Sequence, residues 1–476
     1  MLAHPARPLY FDGTGSTVRA IGSKTRPKHL TLHFHTSEGA AVKEQYIFKG
    51  NEDLRIDESV MQTFVRLNRV MGSRSQRGAA ELSQPPAGST LAVYNVVPTG
   101  AHGGMIQVVD SALSLFAMYS QHSAQHTSES AASVAHKRSM GDAGVPVSNH
   151  AAPPGLRQLF ADHGQRILAA SGLPSTLPFE KWPQVVAEQV FASLRATALP
   201  SLLHRQLMRA APSSAHLLIS TRRLVSSIGT ASAAGYVVGL GDRHLDNLLV
   251  DLNTAQLVHI DFNVCYDFGG VSQIPEQVPF RMTPILAYLC GSPHPDQLAN
   301  TPVAMSRGFA NSFAALLQLA RMDRCALVGA ITARCLFSPF MEWCWIEEQR
   351  LQDKQQRIRT PTAQLPLPQC LCADAGLLAN LESASAEEYI QATGLCPPQA
   401  FWSHDGMLRE QSLTEAPSGW RLARGAVDRM RARLSFSGSL VGSQTEQVQL
   451  QTRALWEAAT ATPRLARMFA GWAPWV

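Results

Sequence analysis

Carboxylate and amide side chains that could direct phosphate chemistry are concentrated between residues 239 and 263. Asp242 and Asn247 lie five positions apart, and Asp261 follows fourteen positions after Asn247. Phosphoryl transfer needs a carboxylate that accepts the proton of the attacking hydroxyl, and oxygen ligands for the metal ions on the nucleotide phosphates. An isolated Asp-x4-Asn spacing is usually a polar turn, but the apolar strand predicted before Asp261 favours a phosphotransferase site.

A lysine that could hold nucleotide phosphates lies earlier in the chain. Lys49 follows a predicted strand over residues 45–48, and the helix after it opens with the carboxylates Glu52, Asp53, Asp57 and Glu58. A lysine at the end of a strand is usually just solvated. Here, however, the chain order is lysine strand, helix carboxylate, apolar strand, Asp/Asn loop and second Asp, which is the plan of a bilobal kinase. The residues alone therefore predict an ATP-dependent phosphotransferase.

The elements that must position these side chains are strands and one helix, followed by a largely helical region. A helix is predicted from Asp53 because apolar residues recur there at spacings of three and four. Residues 248–251 and 257–260 are two short apolar runs around a turn, typical of a β-hairpin. Residues 122–154 are rich in Ser, Ala and His and are interpreted as a surface insertion. Further strands are predicted at 29–34 and 91–97, and helices at 179–210, 215–238 and 303–355.

Composition limits the class of protein. The chain has 476 residues, of which 45% are hydrophobic and 16% charged, enough for two to three folded domains. The net charge of +5 is too diffuse to indicate nucleic-acid binding, and no run of eighteen apolar residues predicts a membrane span. All eight cysteines follow residue 264 without a disulfide pattern, which favours a reducing compartment, the cytoplasm and/or nucleus.

Several motifs together resemble the phosphatidylinositol 3-kinase-related kinase (PIKK) family. The order Asp242-Arg-His244 is one, and Phe48-Lys-Gly-Asn-Glu-Asp-Leu-Arg-Ile-Asp-Glu58 is similar to the family's lysine strand and helix. Val278-Pro-Phe-Arg-Met-Thr283 resembles the end of its activation loop, and Gly471-Trp-Ala-Pro-Trp-Val476 its terminal FATC domain. Within the family, the resemblance is strongest to the branch that acts in nonsense-mediated mRNA decay.

The resemblance implies an α+β, bilobal protein-kinase-like fold of the phosphatidylinositol 3-/4-kinase type with a C-terminal helical FATC tail. The expected divisions are a kinase N-lobe at 1–104, a C-lobe at 105–350, a variable linker at 351–442 and the FATC domain at 443–476. Family members carry long helical repeats before the kinase domain, so the chain is expected to be a fragment or a reduced form.

The resemblance also implies roles for individual residues. Asp242 would be the catalytic base, and His244 would stabilise charge on the transferring phosphoryl group. Asn247 and Asp261 would hold Mg²⁺ or Mn²⁺. Lys49 would contact the ATP phosphates with Glu52 or Asp57 as its partner. Ser37 and Gly39 would cover the phosphates, and the expected adenine contacts are the hinge, with Met105, Ile106, Gln107 and Val108, and the apolar floor, with Leu249 and Ile260.

The substrate is expected to be a protein. No lysine or arginine lies between Asp261 and Pro279, whereas Asp267 and Glu276 are acidic, so this segment would not attract an anionic lipid headgroup. The resemblance implies Ser/Thr-Gln target sites, an RNA helicase of mRNA surveillance as substrate, and regulatory subunits, with no direct nucleic-acid contact. The alternatives are a DNA-damage-checkpoint or growth-control kinase, a phosphoinositide kinase, or an inactive scaffold.

Overall fold

Two β-sheets mark two lobes in the computed structural model of the protein. The structure describes residues 9–22, 26–75, 89–100, 102–123, 155–267, 276–291, 304–335, 420–435 and 443–476. The first sheet has five strands and the second has three, and helices surround the second sheet. This mixture of helix and sheet in two lobes confirms the predicted α+β fold.

The N-terminal sheet has the strand order β1-β2-β3-β5-β4, and all neighbouring strands are antiparallel. The strands predicted at 29–34 and 45–48 are confirmed as the centres of β2 and β3. β5 crosses the predicted domain boundary between residues 104 and 105, so residues 105–107 belong to the N-terminal sheet. The strands are β1 (Leu9–Ala20), β2 (Lys28–Thr36), β3 (Ala41–Gly50), β4 (Val96–Gly100) and β5 (Gly103–Gln107).

The strand predicted over residues 91–97 is wrong for most of its length, because β4 begins only at Val96. Leu91 is buried as expected, but its N–H and C=O are both bound by the side chain of Asn68, at 2.9 Å each. An amide side chain thus replaces the neighbouring strand that an apolar, β-branched sequence would otherwise need.

Helix α1 (Arg55–Ser75) connects this sheet to the rest of the molecule. Its predicted apolar face is confirmed, since every member is at most 5% exposed. The acidic residues Asp57 and Glu58 lie in its first turn, where the helix dipole favours negative charge. The apolar face consists of Val60, Phe64, Leu67 and Met71.

The second lobe is built around the long helix α5 (Ser214–Val238). Ser213 caps its start by accepting the N–H of His216, and α5 packs against α7 (Arg307–Met322) and strand β8 (Gln256–His259). Gly229 permits the close approach to α7, because an added Cβ would lie 2.7 Å from the carbonyl oxygen of Phe309. Among the helices that the structure describes in this lobe are α2 (Leu156–Ala170), α3 (Gln184–Arg195), α4 (Leu202–Ala210), α5, α6 (Pro284–Cys290), α7 (Arg307–Met322) and α8 (Arg324–Cys335).

The helical predictions for this lobe hold where the structure describes them, although breaks divide residues 179–210 into a short 3-10 turn (Phe179–Lys181), α3 and α4. The predicted insertion lies outside the described residues from 124 onward, as do residues 336–355 of the last predicted helical stretch. Within the described part of the chain, no helix is long and apolar enough to cross a membrane.

The described helices near the C-terminus pack on the second lobe. The segment predicted as a variable linker contains helix α9 (Trp420–Leu434), which corrects that prediction; the apolar residues Ala426, Val427, Met430 and Leu434 are buried at helical spacing. Residues 351–419 of the predicted linker lie outside the described residues.

Beyond α9 lie α10 (Gln444–Thr460), α11 (Thr462–Leu465) and a 3-10 turn (Ala470–Trp472). We call residues 443–476 the C-terminal tail. Its apolar side chains at Val448, Leu455, Leu465, Trp472 and Trp475 are buried, whereas Phe469 is 49% exposed. Trp475 is 1% exposed and stacks on Phe160 of α2, with ring centroids 5.7 Å apart. The tail is therefore docked on the second lobe.

Candidate active site

The predicted phosphotransfer residues lie on a loop between α5 and a three-stranded sheet. The loop, residues 239–247, begins where Gly239 ends α5 in the left-handed conformation, with φ at 61°. It ends in a 3-10 turn (Leu245–Asn247) that leads into β7 (Leu248–Asp251). β7 pairs with β6 (Ala112–Ser114) and with β8 (Gln256–His259), which confirms the predicted hairpin. We call residues 239–247 the catalytic loop.

Asp242 and Asn247, five positions apart in the sequence, are joined by a hydrogen bond. The amide nitrogen of Asn247 donates a hydrogen bond to the backbone carbonyl of Asp242 at 2.8 Å. Asp242 and Asp261 both adopt the left-handed backbone conformation, with φ at 50° and 59°. Residues other than glycine adopt this conformation rarely, and when they do it is often at functional sites.

Arg243 holds the catalytic loop against the segment that carries Asp261. Its side chain is buried and donates to the carbonyl of Gly241 at 2.7 Å and to that of Ile260 at 2.7 Å. It also donates to the carbonyl of Asp261. A guanidinium with five donors can bind several carbonyls at once, which explains an arginine here. The structure thus supports the structural role of Arg243.

Lys49 forms an ion pair with Glu52, with 2.9 Å between Nζ and Oε2. Burial lowers the pKa of Lys49, but the Glu52 hydrogen bond and the negative charges of two aspartates outweigh burial, and the pKa lies above its ordinary value. These aspartates are Asp261 and Asp57, so the lysine, the α1 carboxylate and the second metal candidate share one electrostatic environment. Of the two predicted partners, Glu52 makes the direct bond.

Asp57 connects α1 to the segment after β8. It is 3% exposed, and its carboxylate accepts the N–H of Phe262 at 3.4 Å. Burial, with the nearby charge of Asp261, raises the pKa of Asp57 to about 6. Two further contacts join the same elements: the hydroxyls of Ser59 and Tyr266 lie 3.2 Å apart, and the rings of Phe64 and Phe262 meet edge to face.

His244 lies on the catalytic loop two residues after Asp242. The backbone N–H of Asp246 donates to Nδ1 of His244 at 3.2 Å. Because Nδ1 accepts this bond, the ring proton is left on Nε2, the nitrogen that could donate to a phosphoryl oxygen.

The oxygen atoms of Asn247 and Asp261 fit a hard divalent cation. Asn247 spends its amide nitrogen on the carbonyl of Asp242, which leaves the side-chain oxygen for a metal. In the described residues, the side chain of Asp261 accepts only one weak hydrogen bond, from the N–H of Asn263 at 3.3 Å. A carboxylate and an amide oxygen suit Mg²⁺ or Mn²⁺, which take their remaining ligands from phosphates and water.

The predicted nucleotide contacts are distributed over both lobes. Met105, Ile106 and Gln107 lie on β5, paired with Phe48, Ile47 and Tyr46, so the connection between the two sheets is residues 108–111 and not 105–110 as expected. Leu249 and Ile260 pack against the core of the second lobe, and the N–H of Ile260 donates to the carbonyl of Asn247. The adenine contacts stay a prediction.

The predicted phosphate-covering turn joins β2 and β3. Ser37 and Gly39 are exposed, and Gly39 has a φ of 79°, which requires glycine. The hydroxyl of Thr36 accepts the N–H groups of Glu38 and Ala40, which fixes the turn. Contact with phosphate remains a prediction for this turn.

Some residues of the site were not assigned roles from the sequence. Arg281, in the Val-Pro-Phe-Arg-Met-Thr motif, donates to the carbonyls of Arg243, Trp472 and Ala473 at 2.9, 2.6 and 2.9 Å. Its guanidinium lies 4.4 Å from the ring centroid of Trp472. Arg281 therefore links the C-terminal tail to the catalytic loop. The signal in the sequence was the position of Arg281 within the Val-Pro-Phe-Arg-Met-Thr motif.

Asp267 is the other residue whose role emerges only from the structure. Arg429 of α9 donates to its carboxylate at 2.9 Å, and Arg433 of the same helix forms a second ion pair with it. The N–H of Asp267 donates to the carbonyl of Gly239 at the end of α5. These contacts hold α9 against the segment that follows the metal candidate, and no spacing in the sequence indicates them.

Comparisons with known proteins agree with this geometry. The sequence pattern of the family described as phosphatidylinositol 3- and 4-kinase matches residues 43–331. The chain is 35% identical over 285 residues to serine/threonine-protein kinase Smg1 of Drosophila melanogaster, covering 60% of this chain and 8% of that protein. It is 30% identical over 333 residues to serine/threonine-protein kinase SMG1 of Danio rerio, covering 70% and 8%.

More distant similarities share the fold. Serine/threonine-protein kinase TEL1 of Candida glabrata is 26% identical over 280 residues, covering 57% of this chain and 8% of that protein. The solved structure of the FAT and kinase domain of CtTel1 superposes with a TM-score of 0.53 and 17% identity, covering 96% of this chain and 23% of that one. The chain spans 8% of the length of the first two relatives. By this family match, the chain belongs to the phosphatidylinositol 3- and 4-kinase family, and within it to the PIKK kinases.

Proposed function

We propose that the protein is an ATP-dependent serine/threonine protein kinase. The observation that carries this proposal is the assembly of Asp242, Asn247 and Asp261, which Arg243 holds together from the centre. Kinase catalysis consists mainly of positioning and electrostatic stabilisation, and a fixed base beside two metal ligands supplies both.

The residues divide the reaction among them. Asp242 orients the hydroxyl of the acceptor and takes its proton as the oxygen forms a bond to the γ-phosphorus, while the bond from phosphorus to the β–γ bridging oxygen breaks and ADP leaves. Lys49 binds the non-transferred phosphates, and Nε2 of His244 stabilises charge on the transferring group. A divalent cation held by Asn247 and Asp261 supplies neutralisation of the phosphate charge when bound.

A protein acceptor is favoured over a lipid. The segment from Asp261 to Pro279 contains no lysine or arginine, and Asp267 within it is already paired with two arginines of α9. A phosphorylated inositol headgroup would find no cation in this segment to bind. The relatives Smg1 and SMG1 are serine/threonine-protein kinases by name, which supports the same choice.

We further propose Ser/Thr-Gln sites as targets and nonsense-mediated mRNA decay as the pathway, with the pathway's RNA helicase as substrate. The support is the similarity to Smg1 kinases over 60–70% of the chain. A checkpoint or growth-control role is the alternative, because TEL1 and tor1 kinases are also similar, at 26–27% identity. Regulatory subunits and a location in cytoplasm and/or nucleus belong to the same proposal.

The test is phosphate transfer from labelled ATP, with Mg²⁺ or Mn²⁺, to peptides that differ only as Ser-Gln or Ser-Ala. Phosphoinositide vesicles, the intact helicase and a checkpoint substrate serve as further acceptors. We expect transfer to Ser-Gln that falls at least about 1000-fold in Asp242→Asn, because the variant lacks the proton acceptor. Asp246→Asn removes an exposed carboxylate from the same loop and is the matched control. Transfer to lipid alone, or full transfer by Asp242→Asn, would contradict the proposal.

A further inference from the structure

The backbone of Asp242 is held on both sides by side chains from elsewhere. Its carbonyl accepts the amide of Asn247 at 2.8 Å, and its N–H donates to the carboxylate of Glu276 at 2.5 Å. Asp242 needs such support because its left-handed conformation, with φ at 50°, costs a non-glycine residue about 1–2 kcal/mol. A strained conformation persists only where its surroundings over-determine it.

The Glu276 carboxylate fits closely into the catalytic loop. An added Cβ at Gly241 would lie 2.8 Å from a methyl group of Val264 and 3.0 Å from both oxygens of Glu276, so the carboxylate packs closely against the backbone of the loop. The Glu276 side chain comes from the far end of the segment that follows Asp261. No other acceptor for the Asp242 N–H is found in the described part of the chain.

Glu276 is held in place by the C-terminal tail. The N–H of the next residue, Gln277, donates to the sulfur of Met468 at 3.5 Å. The guanidinium of Arg464 donates to the carbonyl of Gln277 at 3.3 Å. The backbone next to Glu276 is therefore fixed by contacts outside the catalytic loop. For this reason Glu276 can hold the loop in place and does not merely move with it.

We propose that Glu276 is a positioning residue for phosphotransfer, which fixes the base Asp242 in its left-handed conformation by accepting its backbone N–H. This inference rests on the proposed kinase function. Glu276 thus has a second function besides making residues 261–279 unattractive to an anionic lipid headgroup. Glu276 acts through Asp242 and needs no contact with the substrate.

The electrostatic surroundings give the contact a pH dependence. The charged groups that face Glu276 are Asp242 and Arg243 on the catalytic loop and Asp267 on the segment after β8. Burial, with the charges of the two aspartates, raises the pKa of Glu276 to about 7, while the Asp242 N–H and Arg243 oppose the rise. As the carboxyl ionises, its bond to the N–H becomes charge-assisted and stronger. Activity is therefore expected to rise as pH increases through about 7.

The first measurement compares Glu276→Ala and Glu276→Gln in the full chain, with Asp162→Asn, which removes an exposed negative charge from α2, as the control. Loss of a hydrogen bond to a charged group predicts a kcat about 10- to 100-fold lower for Glu276→Ala, with the KM for ATP changed less than about twofold. Glu276→Gln keeps an oxygen acceptor and should restore kcat to within about fivefold of the wild type measured below pH 7. It should also lack the rise near pH 7. Wild-type kcat in Glu276→Ala, or an unchanged pH profile in Glu276→Gln, overturns the proposal.

The second measurement does not depend on catalysis. Hydrogen exchange resolved at the amide of Asp242 should be slow in the wild type and in Glu276→Gln, and at least about tenfold faster in Glu276→Ala. Equal exchange in all three proteins overturns the proposal, whatever their activity. If the wild type transfers no phosphate while exchange follows this order, the proposed function fails and the support of Asp242 by Glu276 stands. If Glu276→Ala does not fold, the pH profile of Glu276→Gln, which preserves the packing, remains the deciding measurement.

Discussion

Replacement of Arg281 by methionine should undock the C-terminal tail from the catalytic loop. Methionine is unbranched and fills a similar space without any donor. The change removes hydrogen bonds to three buried carbonyls, at 2.6–2.9 Å, and the contact with the ring of Trp472. The carbonyl oxygens belong to Arg243, Trp472 and Ala473, so the loss falls on the catalytic loop and the tail together.

The magnitude follows from these contacts. A buried acceptor left without a partner costs about 1–3 kcal/mol. The carbonyls of Arg243 and Trp472 lose their donor, whereas that of Ala473 keeps the N–H of Val476 at 3.2 Å, so the loss is at least about 2 kcal/mol. A desolvated cation–π contact adds about 1–2 kcal/mol. The tail can release part of this cost by moving away and exposing its carbonyls to water. We therefore expect the free energy of unfolding to fall by about 3–5 kcal/mol, or the tail to detach before the rest unfolds.

Urea denaturation combined with limited proteolysis distinguishes these outcomes. Tryptophan fluorescence includes a large contribution from the tail, because three of the eight tryptophans, Trp456, Trp472 and Trp475, lie in it, while circular dichroism reports the helices of the whole chain. Detachment would separate the two transitions and expose residues 443–476 to protease in native buffer. Arg453→Met, an exposed position on α10, is the matched control and should change stability by less than about 0.5 kcal/mol. If Arg281→Met unfolds within about 1 kcal/mol of the wild type with its tail protected, Arg281 does not link the tail to the loop.

Three further changes test other parts of the site. Lys49→Met should weaken ATP binding at least about tenfold in calorimetry because the phosphates lose a cation, whereas Lys43→Met, exposed on the same strand, should not. Asp267→Asn should lower the free energy that holds α9 in place by about 3–5 kcal/mol, because it removes the buried negative charge that pairs with two arginines of that helix. The measurement is the rate of tryptic cleavage within α9, which should rise. Burial opposes ionisation of Asp267, but two arginines hold its pKa below the ordinary 3.8. In the wild type, the stability that these ion pairs contribute is therefore complete above about pH 4 and is lost as the pH falls through the lowered pKa. Asp267→Asn should show no such loss. Trp475→Ala should lower the free energy of unfolding by about 3–5 kcal/mol in denaturant titration, since it removes a fully buried ring stacked on Phe160; an unchanged midpoint would contradict the packing described.

The sequence predicts the parts of the site that local spacing controls. Asp242 and Asn247 are five residues apart on one loop, so their contact depends on a single turn, and the hairpin to Asp261 has its own turn signal. The apolar face of α1 is similarly local, because one helix carries all of its members. These predictions needed no knowledge of how distant segments meet.

The contacts that local spacing does not control were missed. The Asp267 ion pairs join residues 162 and 166 positions apart, and the bond from Glu276 to Asp242 spans 34 positions. The strand expected at residues 91–97 failed for a related reason, since the Asn68 side chain supplied the hydrogen bonds that strand pairing would have provided. The hinge was placed three residues early because strand pairing of β5 continues to Gln107, which apolar patterning cannot show.

The contacts of α1 with the segment after β8 couple the two halves of the proposed nucleotide site. Asp57 of α1 is both a neighbouring negative charge of Lys49 and the acceptor of the N–H of Phe262, one residue beyond Asp261. A movement that draws α1 away would weaken phosphate binding and metal-ligand support in the same step, so the two losses are mechanically coupled. Since Ser59 and Phe64 add a second and a third point of attachment, a small tilt is resisted until several contacts break together. Such a site keeps its geometry under a small displacement of α1 and loses it abruptly under a larger one.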